Sequence, residues 1–142
     1  MTLQEIQDQI IEEFAIFNEW MDKYEYLIEL GKDLKIIDTK FKTNEYLING
    51  CQSKVWLHAE LNDDKVIFSA DSDAIITKGI VALIIRVLSK REPKEIMNAD
   101  LYFINEIGLS DNLSPTRANG LSAMIKQMKM YGMAYNAKLG NK

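Results

Sequence analysis

Apolar positions first recur in steps of three and four. Leu3, Ile6, Ile10, Phe14 and Phe17 mark one face of a helix. Thr2-Leu3-Gln4-Glu5 has capping-box spacing, with a hydroxyl to accept from an early amide and a glutamate to reach back. A second helical stripe follows in Trp20, Tyr24, Leu27 and Ile28, and Gly31 reads as its stop. From Lys32 to Asn44 the chain is polar and irregular, apart from Leu34, Ile36, Ile37 and Phe41, and reads as a loop covering the core. The period then changes to two. Val55, Leu57, Ala59 and Leu61 alternate with Trp56, His58 and Glu60, which predicts a strand with two distinct faces. Asn62-Asp63-Asp64 supplies turn chemistry, and Val66, Phe68 and Ala70 alternate again, so the two runs form an antiparallel hairpin. Glu45 to Ile48 is a candidate for a third, shorter strand.

Asp71-Ser72-Asp73 offers N-cap candidates for an apolar helix from Ala74 to about Ser89. That segment is hydrophobic nearly all round, which places it at the centre. Gly79 inside it costs about 1 kcal/mol relative to alanine and points to close backbone packing. Pro93 opens a short helix to Asn98. Ser114-Pro115 forms an N-cap and N1 pair for a last helix, whose apolar positions are Leu121, Met124, Ile125, Met128 and Tyr135. With no repeat, low-complexity tract or Pro/Gly linker, the pattern predicts one α+β domain over residues 1–142. Its small antiparallel sheet, of about three strands, packs against several helices.

Composition narrows the chemistry. One cysteine in 142 residues excludes an intramolecular disulfide, and one histidine leaves no Cys/His cluster for structural zinc. The net charge of −4 and the lack of a long basic run argue against nucleic acid as a partner. The most apolar stretch, Ala74 to Leu88, is interrupted by Lys78 and Arg86 and falls short of the ~20 residues of a membrane span. The N-terminus has neither the basic nor the apolar region of a secretory signal, so the cytoplasm is the expected compartment.

Cys51 is the candidate reactive group, within Asn49-Gly50-Cys51-Gln52-Ser53-Lys54. Gly50 permits a tight turn before it, and the cysteine falls on a loop leading into the strand at Val55. A thiol is nucleophilic as its thiolate, and the residues alone leave an inert and a reactive cysteine both open. A dyad with His58 is disfavoured, because seven extended residues would separate the two by about 20 Å. His58 instead reads as a half-exposed strand residue. Among the last helix's methionines, Met124 and Met128 read as core filling. Asp71 and Asp73 are explained by capping before any metal. Arg117, in the first turn after Ser114-Pro115, opposes the helix dipole and is either incidental or part of a positive site for an anion or thiolate.

Four ordered segments between residues 20 and 125 resemble the SufE family of cysteine desulfuration proteins. They are Trp20 to Gly31, Gly50-Cys51-Gln52-Ser53-Lys54-Val55-Trp56, Asp71-Ser72-Asp73-Ala74 through Lys78-Gly79, and Leu113-Ser114-Pro115-Thr116-Arg117-Ala118-Asn119-Gly120-Leu121. The resemblance implies an α+β fold like the IscU-type scaffolds. It also implies a co-catalytic sulfur acceptor rather than a free-standing enzyme. Cys51 matches the family cysteine that accepts persulfide sulfur from a SufS-like cysteine desulfurase, stimulates that enzyme, and passes sulfur to a SufBCD-like scaffold for iron–sulfur cluster assembly. Gly50, Gln52, Asp73 and Arg117 match positions of the loop and partner-binding region, with Arg117 expected to orient the loop or favour the thiolate. No metal or cofactor is implied for the chain itself, since pyridoxal phosphate belongs to the desulfurase. The alternatives are a regulatory desulfurase-binding module without sulfur transfer and a CsdE-type carrier serving another acceptor. Monomer and homodimer are both left open.

Overall fold

A buried apolar helix organises the chain. In the computed structural model, which describes residues 1–140, α3 (Ile75–Leu88) buries Ile80, Val81, Leu83, Ile84, Val87 and Leu88. The last two positions of the domain expected over 1–142 lie outside the described residues. Around α3 pack α1 (Leu3–Ala15), α2 (Trp20–Lys32), the hairpin of β1 (Val55–Asn62) and β2 (Lys65–Ser72), and the long α7 (Pro115–Gly140). Between α3 and α7 lie three short helices, α4 (Pro93–Met97), α5 (Phe103–Glu106) and α6 (Leu109–Asn112). The fold class is α+β.

Local chemistry accounts for most element boundaries. The capping box of α1 is formed, with the Glu5 amide donating to the Thr2 hydroxyl at 3.1 Å and the Thr2 amide to the Glu5 carboxylate at 3.0 Å. Asp63 and Asp64 both take positive φ (52° and 63°), as the two-residue hairpin turn between β1 and β2 requires. Val55, Leu57 and Ala59 face the core together with Val66, Phe68 and Ala70, while Trp56 and His58 lie on the opposite face. The Arg117 amide donates to the Ser114 hydroxyl at 3.2 Å, which caps α7.

Four expectations are corrected. The third strand shrinks to a single bridge between Leu47 and Trp56, because residues 44–46 form a 3-10 turn before it. The sheet therefore has two strands. Gly31 does not end α2 but sits buried within its last turn, where a Cβ would stand 3.0 Å from the Gly79 amide nitrogen. Asp71 and Asp73 do not cap α3, whose N-cap position is Ala74 and carries no side-chain cap. Asp71 instead binds Lys42 at 2.9 Å and Lys78 at 3.3 Å. Burial pushes the Asp71 carboxyl up, but hydrogen bonds from Lys42, the Ser72 amide and Lys78 outweigh it and hold the carboxyl below its ordinary range.

Candidate functional site

The loop that enters β1 is shaped by a glycine. Gly50 has φ +95°, a conformation that L side chains rarely adopt, and it turns the chain so that Cys51 folds back towards α7. The Cys51 thiol is half-buried and donates to the Gly120 carbonyl at 3.6 Å. Burial pushes its pKa above the ordinary thiol value, so the resting side chain is a protonated thiol.

On the far side of Cys51 the loop is tied down. The Lys54 amide donates to Asp73 Oδ1 at 3.0 Å, and the Asp73 amide donates to the Lys54 carbonyl at 3.2 Å. Asp73 thus fixes the exit of the loop against the turn that leads into α3.

Cys51 opens onto a pocket of about 260 Å³ lined also by Gln52, Ser53, Thr77, Ile80, Ser114 and Arg117, with the first turns of α7 as one wall. Gln52 and Arg117 are therefore brought to the cysteine, while Gly50 and Asp73 act on the loop that carries it. Among the described residues Arg117 is the only cation of the lining. The upward shift of the thiol comes from burial, which acts against the thiolate form in the closed loop.

His58 takes no part in this pocket. Its ring stacks on Phe41 with centroids 3.7 Å apart and meets Tyr46 edge-on. Met124 and Met128 are buried in the core, and Met124 also reaches the pocket floor. Among the described residues no group of three or more His, Cys, Asp or Glu side chains is placed to hold a metal. No helix among them is long and apolar enough to cross a membrane.

Ser53 belongs to the sequence motif around Cys51, whereas Thr77 was missed as a pocket residue. Thr77 did carry a signal, as the only hydroxyl in the mostly aliphatic run from Ile75 to Leu88, but its direction required the three-dimensional packing.

Such a construction, a two-stranded sheet and helices enclosing one loop cysteine beside a small polar pocket, defines a thiol-bearing α+β domain. The family profile described as SufE, Fe-S metabolism associated domain, matches residues 8–132. An uncharacterized SufE-like protein of Rhizobium meliloti is 42% identical over 127 residues, covering 86% of this chain and 91% of its own. A SufE-like protein of Arabidopsis thaliana, chloroplastic/mitochondrial, is 38% identical over 131 residues, which cover 92% of this chain and 35% of the plant protein. A solution structure of a hypothetical protein from Thermus thermophilus shares the fold at TM-score 0.76 and 18% identity, over 93% of this chain and 96% of that one. The chain belongs to the SufE family, and its role lies in the sulfur metabolism of iron–sulfur clusters.

Proposed function

We propose that this protein accepts persulfide sulfur on Cys51 from a SufS-like cysteine desulfurase, stimulates that enzyme, and hands the sulfur to a SufBCD-like cluster scaffold in the cytoplasm. The observation that carries the reading is the half-buried Cys51 on a glycine-turned loop, facing a pocket with polar walls and one arginine. Family membership supports it independently.

The chemistry is thiol exchange. The desulfurase holds its cargo as a cysteine persulfide, R–S–SH. The Cys51 thiolate attacks the outer sulfur, a new S–S bond forms on Cys51, the donor S–S bond breaks, and the donor cysteine leaves as its thiolate. No net oxidation or reduction occurs. One cysteine suffices for this relay, and a second nearby thiol would release the sulfur by closing a disulfide. The protein holds no cofactor in this scheme, and pyridoxal phosphate stays with the desulfurase.

Attack requires deprotonation of a thiol that burial keeps protonated. Docking therefore moves the loop outward, where Cys51 is solvated or meets groups of the partner, and withdrawal returns the loaded sulfur to the pocket. Gly50 supplies the turn for that movement, Gln52 travels with the loop, and Asp73 and Arg117 hold the surrounding surface.

Incubation with a cysteine desulfurase and L-cysteine, followed by intact mass measurement, tests the reading. The expected product carries the mass of one added sulfur atom, on Cys51, and Cys51→Ser neither gains it nor stimulates the enzyme. Full stimulation by Cys51→Ser would identify a regulatory module instead.

A further inference from the structure

The buried side chains of α3 are aliphatic with one exception. Thr77 is only 6% exposed and lines the same pocket as Cys51. Its hydroxyl takes no hydrogen-bond partner among the described residues, although no fully enclosed side-chain nitrogen or oxygen there lacks one. The hydroxyl is therefore not fully enclosed, and the pocket is the cavity that Thr77 lines. An unpartnered hydroxyl in such surroundings is destabilising, and a valine of the same shape would avoid that cost. The sequence nevertheless places threonine between Ile76 and Lys78.

From this placement we infer that the Thr77 hydroxyl donates to the outer sulfur of a Cys51 persulfide held inside the pocket. The inference rests on the sulfur-accepting reading of Cys51. In the unloaded protein the thiol proton is directed to the Gly120 carbonyl. Loading replaces that proton with a sulfur atom about 2.05 Å beyond Sγ. A hydropersulfide is a stronger acid than its parent thiol, so the outer sulfur carries negative charge near neutrality and can only accept hydrogen bonds. Besides Cys51 itself, Arg117 is the one titratable group of the lining among the described residues, and it is exposed. Thr77 is the buried donor. It holds the cargo where an external thiol reaches it poorly.

Inorganic polysulfide serves as a desulfurase-free probe. The Cys51 thiolate takes one sulfane sulfur, one S–S bond forms on the protein, one breaks in the donor, and a shorter polysulfide anion leaves. Loaded wild type, Thr77→Val and Thr77→Ser are then exposed to dithiothreitol, and the added sulfur is followed by intact mass. Thr77→Val is expected to lose it about three- to tenfold faster, with the persulfide's near-ultraviolet absorbance titrating at higher pH, and Thr77→Ser to restore wild-type behaviour. Equal decay and equal titration in wild type and Thr77→Val would overturn the inference, as would a serine variant behaving like valine. If Thr77→Val fails to fold, the labelled Thr77 methyl resonance of wild type decides: it is expected to move on loading, and an unmoved resonance overturns the inference. Loading from polysulfide but not from desulfurase would defeat the sulfur-acceptor reading separately.

Discussion

Asp73 and Lys54 hold each other through two hydrogen bonds, from the Lys54 amide to Asp73 Oδ1 at 3.0 Å and from the Asp73 amide to the Lys54 carbonyl at 3.2 Å. The pair joins the exit of the Cys51 loop to the start of α3. The carboxylate half of this clamp is removable without touching the cysteine. Asp73→Ala leaves the Lys54 amide to water and frees the loop, whereas Asp73→Asn keeps an acceptor oxygen. A net hydrogen bond of about 1 kcal/mol corresponds to roughly fivefold in an opening equilibrium. Alkylation of Cys51 by iodoacetamide is therefore expected to run roughly fivefold faster in Asp73→Ala and near the wild-type rate in Asp73→Asn. Identical rates in all three proteins would show that the clamp does not govern access to the thiol.

Burial raises the Cys51 pKa, and this has two consequences. The alkylation rate of the folded protein is expected to rise with a midpoint above the ~8.5 of an unperturbed thiol. Denatured protein should return to the unperturbed value. Because the folded-state pKa is the higher one, the contribution of Cys51 to stability is intact below the unfolded-thiol pKa. It is lost as pH rises from there through the folded value. Denaturant titrations from neutral to alkaline pH check the second consequence, with Cys51→Ala as the control that lacks it.

Periodicity revealed the hairpin and the central helix because each has one dominant partner: the sheet alternates between core and solvent, and α3 is surrounded. It failed at Glu45 to Ile48, where a single bridge at Leu47 mimics a strand's apolar spacing without a strand's pairing. It failed again at Asp71, since an aspartate before a helix looks the same whether it caps the helix or binds Lys42 and Lys78 from the sheet. Cys51 was visible through its motif context. The pocket was not, because Thr77, Ser114 and Arg117 reach it from elements 26 to 66 residues further along the chain, as numbered in the sequence.

Gly79 illustrates a constraint that sequence suggested and packing explains. A Cβ at this position would collide with the Leu27 carbonyl oxygen and carbon, and these are backbone atoms that cannot swing aside. Gly79→Ala removes a helix-propensity penalty of about 1 kcal/mol, yet it forces α2 and α3 apart along a buried seam. The expected outcome is a net loss of about 2 kcal/mol or more in denaturant unfolding. A stabilised Gly79→Ala protein would mean that the two helices separate freely.

Farther from the cysteine, Glu13 of α1 accepts both guanidinium nitrogens of Arg86 of α3, at 2.9 and 2.6 Å, and also the Tyr26 hydroxyl of α2. Three helices are thereby joined at one partly buried carboxylate. The Arg86 hydrogen bonds, aided by Tyr26 and the attraction of the guanidinium, outweigh burial and hold the Glu13 pKa below its ordinary value. A folded-state pKa below the unfolded one contributes stability that is complete above the unfolded value of about 4.3 and is lost as pH falls through the folded value. Glu13→Gln keeps the shape but leaves the Arg86 charge without its partner, and is expected to cost about 1–3 kcal/mol at pH 7. The difference between wild type and Glu13→Gln should shrink as the medium is acidified below that range. A constant difference from pH 7 down to acid unfolding would show that the carboxylate's charge contributes nothing to joining the three helices.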